Sequence, residues 1–265
     1  MITFRNLGTL GRFGNQLFQY AGVRLYAELN GFSWALPAWS GDAIFTLPQH
    51  HPGIRTLGLP TVQLSDMTAT GWRERLLRPF GLWRRGSMGA LWTHPHDNIN
   101  LYGYLQDDSS LEKLREHRNR VRAWFAYQPR IDKALREATA GRSPWVALHI
   151  RRGDLVQRGI AVPIERYLEL LPTIRGTRSV FIASDDPGVI AACAAHSPFT
   201  VHPARIDAPA WAIDFWMLHH ADAILAGGST FSWWAAYLGS ADYYAPPLTH
   251  QWPDGYQPTL THRTP

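Results

Sequence analysis

Two periods run through the apolar positions of this chain, short continuous runs and four-residue steps, and their alternation sets the predicted elements. Residues 2–5 read as a short strand, and residues 6–14 carry three glycines and Arg12. A helix is predicted from near Asn15, where Leu17, Ala21, Leu25 and Leu29 recur at every fourth position and Phe18 joins their stripe. Strand, glycine loop and helix in that order open an α/β lobe. Residues 31–100, rich in Pro, Gly, Trp and His, carry a weaker pattern that predicts a short helix over 73–80 and a mobile basic loop over 84–88. A strand over 100–105 follows, then a helix over 110–125 anchored by Leu111, Leu114, Val121 and Phe125, and another over 131–138. Gly141-Arg142-Ser143-Pro144 breaks the pattern and places the lobe boundary there, giving lobes 1–141 and 142–265.

Beyond that break the beat is regular. Strands are predicted at 145–150, 180–183 and 223–225, and helices at 164–171, 189–195, 211–220 and 231–238. Alternation at this spacing implies a mostly parallel sheet covered on both faces. In the last helix Phe231, Trp234, Ala235 and Leu238 keep one face apolar, which makes Trp234 a better core candidate than Trp233.

Composition narrows the class. The chain has 265 residues, 45% hydrophobic and 18% charged, enough for a sizeable core in one broad domain or two small α/β lobes. Net charge is +5, carried by single arginines and short pairs such as Arg84-Arg85 rather than a basic tract, so anions in general are favoured and nucleic acid is not expected. The single cysteine, Cys193, lies among alanines and reads as an inert thiol in a packed helix. No apolar stretch approaches the length of about 18 residues that spans a bilayer, and Met1 runs directly into the first strand, so a soluble protein is expected.

Ligands of open α/β sheets sit beyond the carboxyl ends of the strands, and three polar clusters fall there. The first is His149-Ile150-Arg151-Arg152-Gly153-Asp154. Its guanidiniums suit forked hydrogen bonds to phosphate oxygens, and alternation turns Arg151 and Arg152 to different sides, so that one meets a ligand while the other pairs with Asp154 or another carboxylate. The second is Ser184-Asp185-Asp186, whose acids suit a nucleobase, a ribose or a proton. The third is Gly227-Gly228-Ser229-Thr230-Phe231-Ser232, a tight turn into a helix whose first amides favour negative charge. The first glycine loop lacks the dinucleotide fingerprint, and neither a phosphate-loop motif nor a serine-hydrolase elbow occurs.

These segments together resemble the alpha-1,2-fucosyltransferase family (glycosyltransferase family 11). The resemblance runs through Gly11-Arg12-Phe13-Gly14-Asn15-Gln16-Leu17-Phe18-Gln19-Tyr20-Ala21, then Tyr102-Gly103-Tyr104-Leu105-Gln106, then His149 to Asp154. It continues through Phe181-Ile182-Ala183-Ser184-Asp185-Asp186 and ends with Ser229 to Leu238. It implies a glycosyltransferase B-type α/β fold, two Rossmann-like lobes facing a cleft, in an inverting enzyme that moves L-fucose from GDP-fucose to an oligosaccharide or lipid-linked glycan hydroxyl. The 2-hydroxyl of a terminal galactose is the expected acceptor. No metal or other cofactor is implied. The nucleotide falls to the second lobe and the acceptor largely to the first.

Residue by residue, the resemblance assigns the diphosphate to Arg151 or Arg152, with Arg152 preferred. Asp154 and His149 stand beside them as catalytic candidates; as bases they compete with Asp185 and the leaving phosphate. Gly14, Asn15, Gln16, Ser184, Asp185, Asp186, Ser229, Thr230, Phe231 and Ser232 are the expected donor-binding residues. The chain departs from the family pattern at Arg12, Leu155 and Gly228, which bears on acceptor and sugar recognition more than on the phosphate site. Another linkage, a related donor sugar, or nucleotide-sugar binding without turnover are the readings beside it. A cytoplasmic protein is expected, peripheral at the inner face of the cell membrane, its basic balance favouring approach to anionic lipid.

Overall fold

The computed structural model describes residues 1–48, 58–67, 72–201 and 206–246. They form two compact units, Met1–Ala126 and Tyr127–Pro265.

The first unit carries strands β1 (Ile2–Thr3), β2 (Trp34–Ala35), β3 (Thr61–Leu64), β4 (Trp83–Gly86) and β5 (Ile99–Tyr102), and helices α1 (Phe13–Leu29), α2 (Trp72–Leu77), α3 (Met88–Thr93), α4 (Asp108–Glu116) and α5 (Arg118–Trp124). Its sheet runs β2-β1-β5-β3-β4, parallel at every pairing. Helix α1 starts at Phe13, ahead of the expected Asn15, and buries Leu17, Phe18, Ala21 and Leu25, while Leu29 at its end is exposed. The expected loop over 84–88 is instead edge strand β4, paired with β3 from Thr61↔Trp83 to Leu64↔Gly86. The single helix expected over 110–125 is two, because His117 leaves helical geometry at φ −108°, ψ 24°. A buried polar tie crosses the sheet: Asn100 Nδ2 donates to Thr61 Oγ1 at 3.1 Å and Asn100 Oδ1 accepts from Arg5 N at 2.9 Å.

The second unit carries α6 (Pro129–Ala138), β6 (Trp145–Ile150), α7 (Gly153–Gln157), α8 (Ile164–Arg175), β7 (Ser179–Ser184), α9 (Pro187–Ala192), α10 (Ala210–His219), β8 (Ala223–Ala226), α11 (Thr230–Leu238) and β9 (Asp242–Tyr244). Its parallel sheet runs β7-β6-β8-β9 and places β6 at the centre, beside both strands whose ends carry the other two polar clusters. Val146, Leu148 and Ile150 of β6 pack with Tyr167, Leu171, Val180, Ile182 and Leu225 into a continuous core, the near-unbroken apolar run that a strand covered on both faces requires. Cys193 is fully buried in the same core, and burial raises its thiol pKa. The division falls between Ala126 and Tyr127 rather than at 141/142 because the preceding helix belongs to this unit: Trp216 Nε1 donates to Asp132 Oδ1 at 2.9 Å, and the Tyr127 hydroxyl meets His219 Nδ1 at 2.9 Å.

Candidate active site

Strand β6 ends where its two neighbours end, and the arginine loop emerges there. Arg151 Nη2 donates to both carboxylate oxygens of Asp154, at 2.9 and 2.9 Å. Arg152 turns toward β7: its Nε donates to Asp186 Oδ2 at 3.0 Å, and its backbone N–H donates to Asp185 Oδ1 at 2.8 Å. The two arginines diverge as strand alternation requires, but both find a carboxylate, where one was expected to do so. Each keeps a quarter of its side chain exposed. Asp185 also accepts from Gly153 N at 3.1 Å and so caps α7. A β-carbon on Gly153 would stand 2.5 Å from Asp185 Oδ2, so this close approach requires glycine.

The acidic pair therefore holds the loop in place before any ligand arrives. Asp186 caps α9 through Gly188 N at 2.9 Å, and the Ser184 hydroxyl bridges from Asp186 N (3.1 Å) to Ile150 O (2.7 Å). In this arrangement Asp185 and Asp186 accept from the arginine loop and from the turn, and the Ser184 hydroxyl links the ends of β6 and β7.

On the other side of β6, Ser229 caps α11 by accepting from Ser232 N at 3.2 Å, and its Oγ lies 3.3 Å from His149 Nδ1. Removing such a cap costs about 1 kcal/mol. Burial, and then the charge of Arg151, lower the His149 pKa to about 4, so the imidazole is neutral near pH 7. A base that weak is poorly matched to a sugar hydroxyl, and the geometry gives His149 the task of fixing Ser229. Phe231 lies against both His149 and Phe215, with ring centroids 5.2 Å away in each case. Thr230 is partly exposed as the first residue of α11. Ser232 is withdrawn: it is fully buried, with its hydroxyl donating to Ser229 O and meeting the Tyr243 hydroxyl. Trp233 and Trp234 are both core, at 1% and 0% exposure. The same glycine turn passes close to the Tyr167 hydroxyl at Gly227, leaving no room for a β-carbon.

The opening motif serves the first unit. Gln16, 4% exposed, donates to Gly11 O at 3.1 Å and accepts from Ser40 N at 3.3 Å, so both amide atoms brace the glycine loop. Asn15 Oδ1 accepts from Gln106 Nε2 at 3.0 Å, and Asp66 accepts from the backbone N–H of Tyr104 and Gln106 at 3.0 and 3.2 Å. Gly14 is buried inside α1. Two motifs distant in sequence, around residues 15 and 104, are therefore one braced corner. Of the expected donor contacts in it, Gln16 has both amide atoms engaged and Asn15 its Oδ1.

One functional candidate escaped the sequence. Phe181 and Ile182 of β7, Ile190, Phe199, Ile213 and Asp214 line a pocket of about 130 Å³. Asp214 has no hydrogen-bond partner among the described residues, and burial raises its pKa to about 6. A carboxylate partly withdrawn from water in a pocket with mostly apolar walls can accept from a donor-bearing ligand. Its signal was available: it is the sole carboxylate of α10, in Ala-Trp-Ala-Ile-Asp-Phe-Trp-Met-Leu-His. Among the described residues no three His, Cys, Asp or Glu side chains gather as metal ligands.

Solved structures share this fold. The fucosyltransferase NodZ from Bradyrhizobium matches 90% of the chain and 92% of its own, with a TM-score of 0.59 at 14% identity. POFUT1 in complex with GDP matches 93% and 98%, with a TM-score of 0.58 at 14% identity. The chain is accordingly a two-lobed α/β protein with parallel sheets, of the glycosyltransferase B type. Among curated proteins, galactoside alpha-(1,2)-fucosyltransferase 1 of Lagothrix lagotricha is 25% identical over 257 residues, 88% of this chain and 64% of the relative. The protein of the same name from Aotus azarae is 28% identical over 159 residues, 56% of this chain and 38% of its own length. The chain thus spans just under two thirds of the longer matches among these relatives. The family model described as Glycosyl transferase family 11 matches residues 4–247, and the chain belongs to that family.

Proposed function

We propose that the protein transfers L-fucose from GDP-fucose to a sugar hydroxyl with inversion, and that the 2-hydroxyl of a galactoside is the acceptor. The observation that carries this reading is the pairing, on one four-stranded sheet, of a guanidinium loop with an apolar pocket holding a single carboxylate. Guanine presents two adjacent N–H donors on one edge, which a carboxylate accepts together, whereas adenine does not. Asp214 is assigned to that edge and the apolar residues around it to the ring. The names of the primate relatives support the galactoside and the linkage.

The chemistry follows from the charges. As the acceptor hydroxyl attacks the anomeric carbon, the bond from that carbon to the β-phosphate oxygen breaks, negative charge grows on the departing diphosphate, the sugar gains oxocarbenium character, and the hydroxyl proton passes to the leaving phosphate or a neighbouring base. Groups that meet this charge more strongly in the transition state than in the ground state accelerate the step. Arg151 shares the face of β6 that carries His149, and His149 reaches the capped start of α11. We therefore assign the β-phosphate to Arg151, in place of the Arg152 favoured by sequence, together with the first amides of α11. Arg152, tied to Asp186, braces the loop and the α-phosphate side. Asp154 orients Arg151. With guanidinium and helix-end donors neutralising the diphosphate, a divalent metal is not required; the acceptor belongs to the first unit, and cytoplasmic residence completes the reading.

Incubation with GDP-fucose and a panel of galactose-terminated acceptors, followed by mass spectrometry and NMR of the product, tests it. The expected product is α-1,2-linked, formed equally with chelator present. GDP binding without any transfer would instead assign the protein to nucleotide-sugar binding alone.

A further inference from the structure

Helix α2 is amphipathic in the inverted sense. Its charged Glu74 is 2% exposed and faces inward, where Arg85 Nε donates to its Oε1 at 3.0 Å. Trp72 and Leu76, one helical turn apart, face outward at 70% and 57% exposure. The chain continues through Phe80, 73% exposed, turns at Gly81 with φ +68°, and passes Leu82, 39% exposed, into edge strand β4. Four of the seven exposed large hydrophobic side chains among the described residues thus lie within eleven consecutive positions, 72–82. Single exposed apolar residues are ordinary; a cluster of this kind marks an interaction surface.

Charge selects what covers it. Arg75, Arg78 and Arg84 are exposed in the same segment, and among the described residues no carboxylate pairs with any of them. The nearest acid along the helix, Glu74, is turned inward and committed to Arg85. The surface offered to solvent is therefore aromatic, aliphatic and cationic, with no acidic side chain from residues 72–86 except buried Glu74. Tryptophan and phenylalanine favour the boundary between headgroups and acyl chains, and arginine places its stem along apolar surface while its guanidinium meets phosphate.

We propose that residues 72–86 form a docking surface for an anionic lipid membrane, with Trp72, Leu76 and Phe80 entering the headgroup boundary and Arg75, Arg78 and Arg84 meeting lipid phosphates. No helix among the described residues is long and apolar enough to cross a membrane, and this surface needs none. The attachment is peripheral and reversible, because its electrostatic part is screened by salt.

Flotation with vesicles of phosphatidylcholine alone, and of phosphatidylcholine mixed with phosphatidylglycerol, tests the assignment. The wild-type chain is expected to float with the mixed vesicles, to release as salt is added, and to stay largely unbound with the neutral ones. Arg78→Gln and Arg84→Gln should each lower the partition constant about five-fold. The double variant Trp72→Ser/Phe80→Ser should lower it at least ten-fold, on the order of what two exposed aromatic rings contribute at a boundary. GDP affinity and circular dichroism should be unchanged in all of these, since each side chain replaced is exposed. Equal flotation of wild type and variants would overturn the proposal, as would a wild type that ignores both vesicle types. A wild-type dimer by light scattering that becomes monomeric in the aromatic double variant would assign the surface to a second copy of the chain and also overturn it.

Discussion

The arginine loop and the Asp214 pocket lie on the same sheet and handle charge in opposite ways. In the loop each guanidinium already has a carboxylate: Arg151 with Asp154, Arg152 with Asp186. In the pocket Asp214 stands without a partner among the described residues, and burial has pushed its pKa up to about 6. The loop is preorganised, so a phosphate entering it meets donors already in place and little reorganisation is needed. The pocket holds its carboxylate partly away from water, so a ligand that brings two donors offsets that burial. A paired charge contributes through geometry and an unpaired one through discrimination. Substitutions at the two places should therefore fail differently.

The largest effect is expected at the loop. Arg151→Ala should lower kcat about 10²- to 10³-fold, the loss typical of one transition-state donor, with the thermal midpoint within a few degrees of wild type because the Arg151–Asp154 pair is partly exposed. Arg151→Lys keeps the charge but loses the fork, and should recover only part of the rate. Single-turnover kinetics with saturating GDP-fucose separate this from weaker binding. A rate unchanged in Arg151→Ala but collapsed in Arg152→Ala would return the β-phosphate to Arg152.

Next comes Asp214→Asn, where binding and stability should move in opposite directions. The amide cannot accept both guanine donors as a carboxylate does, so GDP affinity should fall on the order of 10- to 100-fold by calorimetry. The unliganded variant should nonetheless melt higher than wild type at pH 8, because the buried charge is gone. A variant that loses stability along with affinity would make Asp214 a structural acid.

The contrast also explains what could be read in advance. Strand β6 was legible to the residue because a centre strand covered on both faces is a continuous apolar run, bounded here by Pro144 and Arg151. Strand β4 was not, since Trp-Arg-Arg-Gly at a sheet edge owes its extended form to pairing with β3, which leaves no local trace. The acids after β7 were legible as acids, but their donors, Arg152 N and Gly153 N, come from the loop of a neighbouring strand. That is a tertiary fact, and it gives these acids a bracing role that the sequence does not show. Gln16 shows the same limit: the motif places it beside a glycine loop, and only the fold reveals that Gly11 and Ser40 engage its amide. Asp214 was overlooked because a helix apolar all round draws attention to its pattern rather than to its one acid.

The smallest effect in the wild type comes from setting His149 against Asp214 in the pH dependence of stability. Burial lowers the His149 pKa from 6.5 to about 4, so between those values the unfolded chain binds the extra proton and stability rises with pH. Asp214 behaves oppositely: its pKa is raised from 3.8 to about 6, the folded chain holds the extra proton over that window, and stability falls as pH rises through it. Each alone gives a slope of up to about 1.4 kcal/mol per pH unit. The two windows overlap between about pH 4 and 6, so their contributions should nearly cancel in the wild type. Removing one should expose the other. Denaturant titrations of Asp214→Asn should show stability climbing with pH across that range, and those of His149→Asn should show it declining. Parallel slopes in the two variants would mean that one of these groups is not held away from water.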